Sequence, residues 1–132
     1  MLWALDHALQ KRSKRMAAER GITGPQRFAL RLIDQTPGMD AGALARALHT
    51  HPSTLTGVLR RLERDGYIRR GVARGDQRRA TLAVTPAGRR KVRDASGTVE
   101  RSVAAVLGRT SAADIAIVMA FLQSLVTALD PG

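Results

Sequence analysis

At 132 residues with a formal net charge of +11, the chain has the size of one domain, large enough to bury roughly two thirds of its unfolded surface without a covalent staple. It contains no cysteine, which excludes a disulfide framework, thiolate chemistry and cysteine-based zinc sites and fits a reducing cytoplasm. No uninterrupted apolar run reaches the ~18 to 20 residues of a membrane span, and the opening MLWALDHALQKRSKRM places its charges after its apolar residues, the reverse of a secretory signal, so a cytoplasmic protein with no membrane partner is expected.

In that opening stretch Leu2, Trp3, Leu5 and Leu9 mark one side of a first helix. Thr23 and Gln26 have capping-box spacing ahead of Phe28, Ala29, Leu32 and Ile33. A second helix is therefore expected from near Pro25 to near Thr36, where Pro37-Gly38 ends it. Asp40 is placed to cap a short helix whose inner side is Leu44, Ala45 and Leu48. The link His49-Thr50-His51 that follows is short enough for a helix-turn-helix.

From His51 to Gly66 the apolar residues Leu55, Val58, Leu59 and Leu62 fall at i, i+3, i+4 and i+7, one stripe of a helix. By subtraction the opposite face carries Ser53, Thr54, Thr56, Gly57, Arg60, Arg61 and Arg64, with hydroxyls first and guanidinium groups after them. Pro52 suits the first helical position and Asp65-Gly66 a helix stop. About three turns of helix are a size that lies in a major groove. Tyr67–Val72 and Ala80–Val84 then read as two strands joined by the charged turn Ala73–Arg79, a hairpin with a basic tip. Thr85 and Pro86 open a new helix as N-cap and first-turn residue. Further on, Ile115, Val118, Met119, Leu122, Leu125, Val126 and Leu129 follow helical spacing with few charges, more apolar surface than one small domain uses, and point to self-association.

Charge is unevenly placed. Residues 46 to 93 hold thirteen Arg or Lys against three acidic residues, whereas Thr110–Gly132 contain Asp114, Asp130 and no Lys or Arg. One polyanion-facing side and one partner-facing side would produce this division. Double-stranded DNA is favoured over RNA, because a helix fits the wide B-form major groove and not the narrow A-form one. Stacking platforms are scarce as well, the aromatics being Trp3, Phe28, Tyr67 and Phe121. Chemistry finds little support. His7, His49 and His51 lack a third spaced ligand for a metal, and His51 is better placed as an N-cap or a phosphate donor. The serines and acids form no nucleophile–base set, and Gly71–Gly75 lacks the strand–loop–helix context of a phosphate loop. No enzyme, cofactor or metal is expected.

The pieces ITGPQRFALRLI (22–33), LARAL (44–48), PSTLTGVLRRLERDGYIRR (52–70), Asp76-Gln77-Arg78 and Thr85-Pro86-Ala87-Gly88 stand in one register over residues 20 to 90. With them the chain resembles the MarR family of transcriptional regulators. The resemblance implies a mainly α (α+β) fold, a winged helix-turn-helix spanning 22–88, flanked by dimerisation helices in 1–20 and 89–132 of a single domain. It implies Ser53, Thr54 and Thr56 near base edges and phosphates, Arg61 near the backbone, and Arg78 in the minor groove with Asp76 orienting it. Arg60, Arg74 and Arg79 join these as basic groups of the same face and hairpin tip. Two departures stand out: Arg60 replaces a commonly acidic residue, and Gly57 a common arginine. The implied function is a homodimeric repressor on a palindromic operator, released by a small aromatic or phenolic effector in a crevice near Trp3, His7, Met16 and Phe28. The alternative is an architectural DNA-binding protein without operator choice.

Overall fold

A computed structural model describes residues 1–73 and 76–130, the side chains of 72–79 excepted. The order of its elements is α1 (Leu2–Arg20), α2 (Gly24–Gln35), α3 (Ala41–Ala47), α4 (Pro52–Arg64), β1 (Ile68–Ala73), β2 (Asp76–Val84), α5 (Pro86–Arg93), α6 (Val99–Leu107) and α7 (Ala112–Leu129). Two compact units divide the chain, Met1–Val99 and Glu100–Gly132. The division falls beyond α5, which packs on α2 and β2 in the first unit.

Local signals set the helix limits. Thr23 and Gln26 close a reciprocal capping box on α2, with Gln26 N–H donating to Thr23 Oγ1 at 3.3 Å and Thr23 N–H to Gln26 Oε1 at 2.9 Å. Asp40 Oδ1 accepts from Ala43 N–H at 2.7 Å, so α3 starts where its cap predicts. The ends of α3 and α4 use one motif with different residues. After α3, Thr50 N–H bonds Ala45 O and His49 N–H bonds Arg46 O, with His49 in the left-handed region at φ 47°. After α4, Tyr67 N–H bonds Leu62 O and Gly66 N–H bonds Glu63 O, with Gly66 at φ 73°. Both are Schellman closures, and only the second uses the residue type that adopts this backbone without steric cost.

Leucine and isoleucine stripes of the first unit converge in one core. Ile22, Leu30, Ile33, Leu44, Leu55, Leu59, Leu62 and Leu82 are each at most 2% exposed. In α2 the inward positions are Gln26, Ala29, Leu30 and Ile33, one step round the helix from the pattern Phe28, Ala29, Leu32, Ile33. Phe28 consequently stands 49% exposed. The shift follows from two polar groups that the core accepts: Gln26, engaged in the capping box, and Arg27, which is 2% exposed. Arg27 donates to the carbonyl oxygens of Lys91 and Val92 and so satisfies the C-terminal end of α5, where a positive charge is also favoured by the helix dipole.

The wing strands pair antiparallel from Ile68↔Val84 to Val72↔Ala80, with an irregularity at Val72/Ala73 and a last pair Ala73↔Asp76. β2 therefore begins at Asp76 and takes in residues 76–79, which the sequence assigns to a turn. Leu82 and Val84 alternate into the core at the base of the wing, whereas Asp76-Gln77-Arg78-Arg79 holds no apolar residue and reads like a loop. Met39 O accepts from Leu82 N–H at 2.9 Å and Asp40 bridges Thr81, a minimal third strand beside the wing.

In the second unit α6 and α7 are joined through Gly108–Ser111, with Ser111 Oγ accepting from Asp114 N–H at 3.1 Å to cap α7. None of α7 is buried: Ile117 is 68%, Phe121 62% and Leu129 74% exposed. With a mean hydropathy of 1.9 over 18 residues, α7 is by length and composition apolar enough to cross a membrane. Asp114, Gln123, Ser124 and Thr127 interrupt its apolar residues, so no uninterrupted apolar run of that length stands in the sequence.

Candidate nucleic-acid interface

α4 is held from behind. Its leucine stripe packs on α2, α3 and β1, which leaves the other side to solvent: Ser53, Thr54, Thr56, Gly57, Arg60, Arg61 and Arg64 are all exposed. The hydroxyl and guanidinium groups singled out on this helix thus share one free surface.

The N-terminal turn is ordered by local bonds. His51 Nδ1 lies 3.2 Å from Ser53 N and accepts its N–H, and 2.7 Å from Ser53 Oγ. Acceptance at Nδ1 requires the tautomer that carries its proton on Nε2. Thr56 Oγ1 donates to Pro52 O at 2.9 Å, so its oxygen keeps acceptor capacity on the outside of the helix.

Charge pairing divides the arginines into two groups. Arg64 bonds Asp65 at 3.2 Å and Arg70 bonds Glu63 at 3.0 Å. Among the described residues no carboxylate pairs with Arg60, Arg61 or Arg69. Within the described residues these three guanidinium groups are open to an external anion. Arg69, exposed on β1, was not singled out on the sequence, whose only signal for it is the local density of arginine. Of the wing residues, Arg74 lies outside the described residues, and Asp76, Arg78 and Arg79 sit on β2 with side chains outside them.

The root of the wing is tightly built. Thr85 Oγ1 accepts from Gly88 N–H at 3.1 Å and donates to Gly66 O at 2.6 Å, and Thr85 N–H donates to Tyr67 O at 3.0 Å. A Cβ on Gly88 would stand 2.2 Å from Tyr67 O and 2.7 Å from Val84 Cγ1. The Thr85-Pro86-Ala87-Gly88 sequence is thus a close contact between the end of α4, the wing and α5.

The four candidate effector residues meet different fates. Met16 is 1% exposed, a packed side chain on α1, whereas Trp3 is 87% exposed and His7 also faces solvent. Phe28 is half exposed on α2. A small cleft is instead lined by Ala41, Gly42, Pro52, Leu55, Thr56, Leu59 and Arg70, and none of the four lines it.

The loop after α5 is fastened to α1. Arg20 bonds Asp94 and, at 2.7 Å, Ser96 Oγ, while Lys91 Nζ donates to Arg20 O and lies 5.6 Å from the centre of the Tyr67 ring. The Ser96 hydroxyl first, and then the Arg20 guanidinium, lower the Asp94 carboxyl from the usual 3.8 to about 2. Among the described residues no group of three or more His, Asp or Glu side chains is arranged to hold a metal ion.

Residues 22–80 match the model of the MarR family. The HTH-type transcriptional repressor Rv2887 of Mycobacterium tuberculosis is 33% identical over 92 residues, 70% of this chain and 66% of that protein. The chain thus spans slightly less than two thirds of that relative's length. Among solved structures, the Staphylococcus aureus MepR–DNA complex superposes with a TM-score of 0.81 at 22% identity, covering 98% of this chain and 95% of that one. The transcriptional regulator PA4135 does so with a TM-score of 0.72 at 28% identity, covering 96% and 93%.

Proposed function

The chain belongs to the MarR family with its winged helix-turn-helix fold, and from that premise we propose that it is a sequence-specific, double-stranded-DNA-binding transcriptional regulator that acts as a homodimeric repressor on a palindromic operator. The observation that carries the reading is the exposed face of α4, where hydroxyls and guanidinium groups, Arg60 and Arg61 among them without a carboxylate partner among the described residues, stand opposite a buried leucine stripe. Rv2887 is named as a repressor and MepR was crystallised with DNA, which supports the same reading.

In this proposal Ser53, Thr54 and Thr56 meet base edges and phosphates, Arg61 meets the phosphate backbone, and Arg60 is a further basic group of the same DNA-facing side. Arg74 and Arg79 add phosphate contacts at the hairpin tip, and Arg78, oriented by Asp76, enters the minor groove. Residues 22–88 form the DNA-binding lobe, with 1–20 and 89–132 assigned to dimerisation. The exposed apolar side chains of α7 supply the reason for a second copy. Two copies would hold their recognition helices about one turn of duplex apart, ~34 Å, and so read a palindrome. An aromatic effector near Trp3, His7 and Phe28 would act only through its different affinities for operator-matched and mismatched dimers. Reaching Met16 would require that side chain to leave its packed position.

Selection of bound duplexes from a random pool at about 150 mM salt tests the proposal together with the mass of the protein in solution. The expected result is a dimer that enriches an inverted repeat, preferred over random DNA by about 10³ or more. A preference near one would replace the operator-specific reading with an architectural one. Association of α7 with lipid vesicles, and no dimer, would overturn the assignment of its apolar surface.

A further inference from the structure

We propose that Gly57 is a specificity-determining position at which the backbone of α4 itself comes up against the base-pair edges. This inference rests on the DNA-binding reading above. Ser53, Gly57, Arg60 and Arg64 follow one another at i, i+4, i+7 and i+11, a line that runs along the side of α4 opposite Leu55, Leu59 and Leu62. Gly57 therefore occupies the outermost line of the helix, between a hydroxyl and two guanidinium groups, and it is exposed.

The protein gains nothing internally from a glycine there. Glycine in a helix interior weakens the helix relative to alanine, through the larger conformational freedom it loses on folding. At Gly88 the fold itself demands the missing side chain, since a Cβ would run into Tyr67 O at 2.2 Å. At Gly57 a Cβ would meet nothing within 4 Å. The absent side chain thus answers to something outside the chain.

The dimensions of the groove say what that is. A helix with its side chains is about 10–12 Å across, and the B-form major groove is about 12 Å wide. Removing the side chain from the outermost line lets the helix seat more deeply at that point. Ser53 and Arg60, one turn to either side, are then brought toward the base edges rather than held at the phosphates.

Gly57→Ala separates this role from a structural one. Without DNA, its Tm is expected to rise by about 3 °C, because alanine is the better helix former and meets no obstruction. Affinity for a random duplex at about 150 mM salt should stay within about twofold, since the phosphate contacts are untouched. Affinity for the selected duplex should fall about tenfold or more, so that the preference between the two DNAs shrinks. Unchanged affinity for the selected duplex, an equal loss on both DNAs, or a fall in Tm would each overturn the inference while leaving the regulator reading intact. A wild-type preference near one would overturn both.

Discussion

α4 and α7 are both helices rich in aliphatic residues, and they end in opposite situations. Leu55, Leu59 and Leu62 of α4 are 1–2% exposed, whereas α7 has no buried residue and shows Ile117, Val118, Met119 and Phe121 at 52–68% exposure. The stripe on α4 is one side wide, which α2, α3 and β1 can cover from within the same chain. On α7 the apolar residues spread over adjoining sides and exceed what its own unit covers. Charge follows the same division: α4 turns arginines outward, and α7 has no Lys or Arg at all. A helix whose uncovered side is cationic is finished as a monomer element and awaits an anion. A helix whose uncovered side is apolar suits an apolar partner.

This contrast can be broken at either end. The largest effect is expected at the root of the wing, where Gly88→Ala forces a Cβ against Tyr67 O and should destabilise the first unit by about 3 kcal/mol; urea unfolding followed at two protein concentrations would show a loss independent of concentration. Next comes Phe121→Arg on α7, which should abolish dimerisation and lower operator affinity about a hundredfold by removing simultaneous engagement of two half-sites. Its folded first unit should persist, and light scattering with a binding titration reads both effects. Smaller again, His49→Gly relieves a left-handed backbone position that Gly66 occupies freely after α4, and should stabilise the protein by about 1 kcal/mol in thermal unfolding.

The smallest effect is a pH dependence. Asp94 is depressed from 3.8 to about 2 by Ser96 and Arg20, so its bonds favour the folded form fully above pH 4 and cease to do so as pH falls through about 2. Melting curves of wild type and Asp94→Asn, taken from pH 5 to pH 2, should converge toward the acid end. A difference that persists at pH 2 would remove Asp94 from the account.

Much of the winged helix-turn-helix was legible because its signals are local. Thr23, Asp40, His51 and Thr85 all cap the helices their positions predict, and the bounds Pro52–Arg64 follow from one proline, one stripe and one Asp-Gly stop. What the sequence concealed depends on partners distant in the chain. Arg27 reads as a surface cation until the carbonyls of Lys91 and Val92 are brought to it, 64 and 65 positions away. The bridge from Met39 and Asp40 to the wing is equally non-local. Residues 76–79, Asp-Gln-Arg-Arg, hold no apolar residue and so carry no alternation from which a strand can be read. The candidate site divides the same way: the face of α4 was readable by subtraction from its stripe, whereas burial among Trp3, His7, Met16 and Phe28 depends on distant partners, and of the four Met16 is the one packed away.

The Thr85 hydroxyl joins Gly66 O, nineteen positions earlier, to Gly88 N–H. The chain between leaves one point and returns to it, as a loop of rope leaves and re-enters a knot. Lengthening or trimming that excursion by matched residue pairs alters how far it reaches without disturbing either helix at its base. The finger could therefore be exchanged as a module, with the knot retained and the span reset to suit a different target.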